Sequence, residues 1–310
     1  APNAYRVAVC MVTPFDERGR LDDAAVVSIV ESIAGRGVGL AVGTASPGEG
    51  FALSLEETEH FYATVVRTAA GRVPVCAMGV EPRNANQLRP IVRIAEKAKV
   101  DVMQLYTADP GHSMKLTDRE LERFFSTLLG EMTIPAAIST HVYNGLVPLP
   151  VLARLLDAFP NIIRIHCTSE VNYLHQLVQL VAGRCEILVG GPMQALSTWA
   201  IGGQGFLCSE GNIAPVVCGE LQAAIRGGDL EAAKTAYRRL NGVFSLNVWP
   251  GGSVRCLKTA MRLLGMAGSH TRPPFEILDE GAMQTLATSM RALDLPEWRG
   301  RLERGAGGRA

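Results

Sequence analysis

Charge of either sign is scarce in this chain. Asp, Glu, Lys and Arg make up 19% of its 310 residues, and 30 basic side chains meet 30 acidic ones. A chain so balanced offers no basic field to nucleic acid and no polybasic run to a membrane surface. Long apolar runs are missing too. Gly, Pro or a charge breaks each one well short of the roughly 18 residues a spanning helix needs. Residues 1–12 lack a basic segment followed by a long apolar core, so no signal peptide is expected. The 7 cysteines include no CxxC pair, which argues against a structural zinc. They are scattered through apolar runs and read as free thiols in a reducing cytoplasm. No Gly-rich phosphate loop follows the first predicted strand, where VTPFDERG stands. That counts against an open dinucleotide-binding sheet.

What is present is apolar mass and a regular alternation. Hydrophobic residues reach 47%, enough for a large core. Eight short apolar strands are predicted at 6–13, 37–44, 73–79, 101–106, 134–139, 162–167, 186–190 and 205–208. Between and after them lie amphipathic segments at 22–36, 54–70, 84–98, 118–129, 148–159, 170–182, 193–201 and 214–226. Ser54 followed by Glu57 is a capping box that opens the second of these. Near-continuous apolar strands alternating with helices imply a parallel sheet covered on both faces, and eight units close into a barrel. The fold class expected is therefore α/β, a (β/α)8 TIM barrel over residues 1–226. Past Gly227 the strands stop, and helices at 229–244, 253–264 and 274–293 predict a C-terminal helical domain over 227–298. Residues 299–310, rich in Arg and Gly, read as a flexible tail.

Several stretches carry a family resemblance. They are MVTPFD from Met11, Gly43-Thr44 with Gly48-Glu49 and Ala52 to Ser54, and NII from Asn161. GGQGFL from Gly202, NIAP from Asn212, GDLEAA from Gly228 and the segment Val254 to Met266 with Lys258 complete the set. In order and spacing they resemble the dihydrodipicolinate synthase / N-acetylneuraminate lyase superfamily over nearly all of residues 5–295. The resemblance implies a barrel with a C-terminal helical domain, assembled as a homo-oligomer (tetramer or dimer), and a site at the C-terminal mouth of the barrel. It implies aldol, retro-aldol or dehydration chemistry on a 2-oxo acid, with no cofactor and no metal. In that family a lysine ending strand six holds the oxo carbon as a Schiff base. A tyrosine ending strand five shuttles protons, and a Gly-Thr-Thr-Gly-Glu loop after strand two binds the substrate carboxylate.

Three departures follow from the same alignment. The lysine position falls on His166, and imidazole cannot form an iminium with a carbonyl. Lys97, Lys99, Lys115, Lys234 and Lys258 all lie in helices or loops rather than at strand ends. The tyrosine position has two candidates: Tyr143, within a Tyr-Asn dipeptide, and Ser139, which strand periodicity favours. The stretch 140–144 also lacks the arginine that binds a second carboxylate in the synthase branch. The strand-two loop, Thr44-Ala-Ser-Pro-Gly-Glu49, keeps one threonine, replaces the next with Ala45 and offers Ser46 instead. It reads either as a carboxylate-binding loop or as a turn shaped by Gly and Pro.

The candidate catalytic residues are His166, Ser139 and Tyr143. Thr44, Ala45, Ser46, Glu49, Arg164, Gly190 and Cys208 are the candidate substrate contacts. Arg164 shares the inward face with His166, so it needs a carboxylate partner, either in the site or in a structural ion pair. The reading from these residues is a cytoplasmic lyase acting on a 2-oxo acid or related small carboxylate without the usual Schiff base. The alternatives are an inactive paralogue that binds a small carboxylic acid, and an ordinary pyruvate-dependent aldolase using a displaced lysine. Dihydrodipicolinate synthase activity itself is not expected.

Overall fold

The computed structural model describes residues 5–142, 145–250 and 252–302. Its eight parallel strands close in sequence order into one barrel. They are β1 (Arg6–Cys10), β2 (Gly39–Val42), β3 (Val75–Met78), β4 (Val102–Leu105), β5 (Ala136–His141), β6 (Ile162–Thr168), β7 (Glu186–Gly190) and β8 (Gly205–Cys208). The covering helices are α1 (Asp23–Ala34), α2 (Leu55–Ala69), α3 (Ala85–Ala98), α4 (Asp118–Glu131), α5 (Leu149–Ala158), α6 (Val171–Val181), α7 (Ala195–Ala200) and α8 (Pro215–Gly227). Three more follow the barrel: α9 (Leu230–Phe244), α10 (Gly252–Leu263) and α11 (Glu280–Leu293).

Side chains of a strand alternate between faces, and here the alternation divides the molecule into two cores. Outward residues such as Val7, Leu40, Ile138 and Ile165 merge with the helices in one large cluster. Inward residues Ala8, Ala41, Cys76, Ala137, Leu188 and Leu207 form a separate small cluster inside the barrel. Several of these are small, which leaves volume in the bore for larger polar groups on β4, β5 and β6. At Gly205 the neighbouring strand comes so close that an added Cβ would lie 1.9 Å from the carbonyl oxygen of Arg6.

Two strands run further than the sequence pattern indicates. β5 ends at His141 rather than at 139, and β6 at Thr168 rather than at 167, because Thr140 pairs with Cys167 and His141 with Thr168. The predicted helix from 274 begins only at Glu280, where Asp279 caps the amide of Ala282 at 2.9 Å. The capping box of α2 is present: Ser54 Oγ accepts from Glu57 N, and Glu57 Oε2 accepts from Ser54 N. Among the described residues no helix is long and apolar enough to cross a membrane.

The C-terminal helices are tied to the barrel through Lys258 on α10. Its buried ammonium donates to the carbonyls of Thr13, Gly268 and His270 at 2.6, 2.9 and 2.8 Å. It lies 3.6 Å from Glu49 Oε2. Trp298, ending the expected helical domain, donates through Nε1 to Ile213 O, and the start of the expected tail is packed too: Arg301 Nε donates to Leu264 O, and Leu302 is buried. Residues 303–310 lie outside the described part.

Candidate active site

A cavity of about 360 Å3 opens where the C-terminal ends of the strands meet the first helices of the C-terminal extension. Its inner wall is made by β5, β6 and β7. In register, Ser139 on β5 lies beside His166 on β6, and His166 beside Leu188 on β7. His166 points into the bore and is 5% exposed. Its Nδ1 lies 3.2 Å from Ser139 Oγ and 3.2 Å from Gln104 Nε2 on β4. With the Gln104 amide donating, Nδ1 is an acceptor and the ring proton sits on Nε2.

That Nε2 is buried and has no hydrogen-bond partner among the described residues. A Cβ added to Gly190 would sit 3.3 Å from it and 2.2 Å from Thr168 Oγ1. Glycine at 190 therefore keeps clear the space beside both atoms, and all three residues line the cavity. Thr168 Oγ1 and Gln104 Oε1 are likewise buried without a partner among the described residues. An orphaned buried polar atom costs roughly 1–3 kcal/mol. Two of them, His166 Nε2 and Thr168 Oγ1, belong to residues of one cavity wall, an arrangement that a polar ligand would relieve.

The same burial fixes the charge of His166. Desolvation, with smaller contributions from His141 and Arg164, pushes its pKa down to about 3, so the ring is neutral across the physiological range. His141, on the extended end of β5, also lines the cavity, and its ring centroid lies 6.3 Å from that of His166. Burial lowers its pKa as well. Glu210, just past β8, lines the same cavity. It is 4% exposed, and its carboxylate accepts from Ser209 N and Ser209 Oγ at 3.1 and 3.0 Å. Burial raises its pKa above the ordinary carboxylate value.

The residues singled out from the sequence fall into three groups. Ala45, Ser46, His166, Gly190 and Cys208 line the cavity. Ser46 Oγ lies 3.0 Å from Ser253 Oγ on α10, and the Cys208 thiol is turned to Cys218 on α8, 3.7 Å away. Ser139 and Thr44 stand behind this surface. Ser139 buttresses His166, and Thr44 Oγ1 accepts from Gly48 N within its own loop. Glu49 and Arg164 are placed elsewhere. The Glu49 carboxylate is buried against Lys258 and accepts from Arg272 N. Arg164 sits two residues below His166 at the barrel floor, where Glu186 Oε2 takes its Nη2 at 2.9 Å. Two residues along a strand shift an inward side chain by one layer, about 6.6 Å. That is why a shared face does not bring Arg164 to the mouth. Tyr143 lies outside the described residues.

Sequence reasoning missed Gln104, Tyr106, Thr168 and Glu210, of which all but Gln104 line the cavity. Gln104 carries a signal, as a polar residue at an inward position of the apolar strand VMQL. Glu210 carries none, because it follows β8 in a short 3-10 turn. Among the described residues, no lysine or arginine lines the mouth.

Residues 3–293 match the Dihydrodipicolinate synthetase family. The chain is 30% identical to a 4-hydroxy-tetrahydrodipicolinate synthase of Acidiphilium cryptum over 291 residues, covering 93% of this chain and 97% of that one. It is 27% identical to the enzyme of that name from Pseudomonas aeruginosa, with coverage of 91% and 96%. Among solved structures it superposes on YagE, a prophage protein of the dihydrodipicolinic acid synthase family from E. coli K12 solved in complex with pyruvate. There the TM-score is 0.86 and the identity 25%, with 94% of this chain and 99% of that chain covered.

Proposed function

The chain belongs to the dihydrodipicolinate synthetase family, and from that premise we propose a lyase that acts on a 2-oxo acid or related small carboxylate without a lysine Schiff base. The observation that carries this reading is the neutral Nε2 of His166 beside Gly190, which has no partner among the described residues. In place of an iminium, His166 Nε2–H donates to the oxo oxygen of the bound acid and stabilises the enolate that forms when the adjacent carbon loses a proton or a carbon substituent. A neutral imidazole can do this because Nδ1 accepts from Gln104, which keeps the proton on Nε2 where it donates to the developing oxyanion. Glu210 is a buried carboxylate lining the same cavity, and its raised pKa suits the acceptance and return of that proton. Ala45 and Ser46 supply backbone N–H groups and a hydroxyl for the substrate carboxylate. Ser139 and Gln104 fix the ring of His166. A homo-oligomer in the cytoplasm belongs to the same reading.

Two features set this reading apart from ordinary aldolase chemistry. His166 takes the place in the sequence that the family gives to lysine. Lys258, the most buried lysine, is engaged by three carbonyls and Glu49. YagE was solved with pyruvate, so pyruvate is the probe of choice. Intact mass after incubation with pyruvate and borohydride is expected to show no adduct, while pyruvate binding by calorimetry is retained and is lost in His166→Ala. A trapped adduct would return the Schiff-base mechanism. Binding without any turnover of carbon or proton would leave a binding protein in place of the enzyme.

A further inference from the structure

The charges around the mouth are one-sided, and that bears on which acids it admits. Glu81, in the segment after β3, and Glu210, after β8, both line the cavity, with no lysine or arginine among the described lining residues. The residues outside the description between 5 and 302 are Tyr143, Asn144 and Gly251, none of them basic. Burial lowers the pKa of both His166 and His141, so near neutral pH neither ring brings positive charge to the wall.

The two acids are held differently. Glu210 is buried, accepts from Ser209 N and Ser209 Oγ, and has its pKa raised by burial, which favours its neutral form. Glu81 is half-buried and meets no cation on the cavity wall. Its charge reaches Tyr106, which follows the neighbouring strand β4: burial, Cys10 and then Glu81 push that phenol's pKa well up. The negative charge of the wall is thus centred on Glu81.

Strand order sets what a ligand meets. The strands close in sequence order, so the loop after β2 stands across the bore from His166 on β6 and is flanked by the segment after β3 that carries Glu81. A 2-oxo acid that gives its oxo oxygen to His166 spends the amide donors of Ala45 and Ser46 on its one carboxylate. The cavity, at about 360 Å3, has room for a longer chain. A second carboxylate on that chain would be desolvated in a space that offers it Glu81 and no cation.

We propose that Glu81 makes the mouth selective for 2-oxo acids whose far end is uncharged, and that it turns away dicarboxylates of the same length. The proposal rests on the reading of the mouth as a 2-oxo acid site.

Calorimetry on the full chain with pyruvate, 2-oxopentanoate and 2-oxoglutarate tests it. The last two share one carbon chain and differ in the second carboxylate, so size is held constant. Wild type should bind 2-oxopentanoate at least about thirty-fold more tightly than 2-oxoglutarate. Glu81→Gln should narrow that ratio at least about five-fold, and Glu81→Lys should abolish it. Equal affinities for the two acids in wild type, or a ratio that neither variant moves, would overturn the proposal. Binding of pyruvate with neither longer acid bound would overturn it too, since the far end would then not enter the cavity. Failure to bind pyruvate is a separate result: it removes the 2-oxo acid reading itself, and the selectivity falls with it.

Discussion

His166 combines a position inside a barrel with a ring that the barrel keeps uncharged, and the cost of that state can be measured. In the unfolded chain a histidine takes up a proton below about 6.5. In the folded chain His166 does so only below about 3. Between those values the unfolded state holds one more proton, so stability falls as the pH drops from 6.5 toward 3. The slope from this one group is about 1.4 kcal/mol per pH unit. Above 6.5 both states hold the neutral ring and the contribution is flat. Burial of Glu49, Glu210 and Glu297 acts with the opposite sign, since raised carboxyl pKa values favour the folded state at low pH. The test is therefore a difference. Urea unfolding of wild type and His166→Gln at pH 7 and pH 4.5 should show the variant gaining about 2–3 kcal/mol on the wild type at the lower pH. A difference that stays constant with pH would show that His166 is not buried in this way. Inward periodicity on β6 made this residue legible in the sequence, and register with Ser139 followed from it. Periodicity gives the face but not the layer, and the layer is what separates Arg164 from the mouth.

At the scale of elements, the barrel and the C-terminal helices are joined by α10 and the loop after β2. Lys258 brings three carbonyls and Glu49 together in a site with no exposure on either charged side chain. Its pKa is lowered to about 8 by burial, with Glu49 opposing the shift. Beside it, Arg272 takes both oxygens of Glu57 and stacks its guanidinium 4.3 Å from the centroid of Phe15. Lys258→Met should destabilise by roughly 3–5 kcal/mol, because it strands a buried carboxylate and three carbonyls. Pairing it with Glu49→Gln should recover part of that loss, as chemical denaturation would register. If the single variant cost less than about 1 kcal/mol, the clamp would not hold the two parts together. From the sequence, the loop from Gly43 to Glu49 pointed Glu49 at the substrate. Nothing in the local pattern tells that its partner lies some 200 residues away. Strand and helix order was legible because the apolar runs are short and regularly spaced. The extra residues at the ends of β5 and β6 were not, since Thr140, His141 and Thr168 are polar and their strand character comes from pairing, Thr140 with Cys167 and His141 with Thr168.

For the molecule as a whole, the bore of the barrel is polar at both ends and apolar between. His166, Gln104 and Ser139 form the upper layer, Arg6, Arg164 and Glu186 the lower one, and small apolar side chains separate them. The family fold was legible from motif order along nearly the whole chain. The chemistry was less so, because it depends on which buried atoms are left without partners. The central claim is that a neutral histidine does the work that an iminium does elsewhere in the family. Its most direct test is proton NMR of pyruvate in D2O with the protein present. Wild type should wash deuterium into the methyl group, and His166→Gln should do so at least about a hundred-fold more slowly. The pH profile should lack an inflection near 6.5, since His166 does not titrate there. Exchange that persists undiminished in His166→Gln would contradict the account.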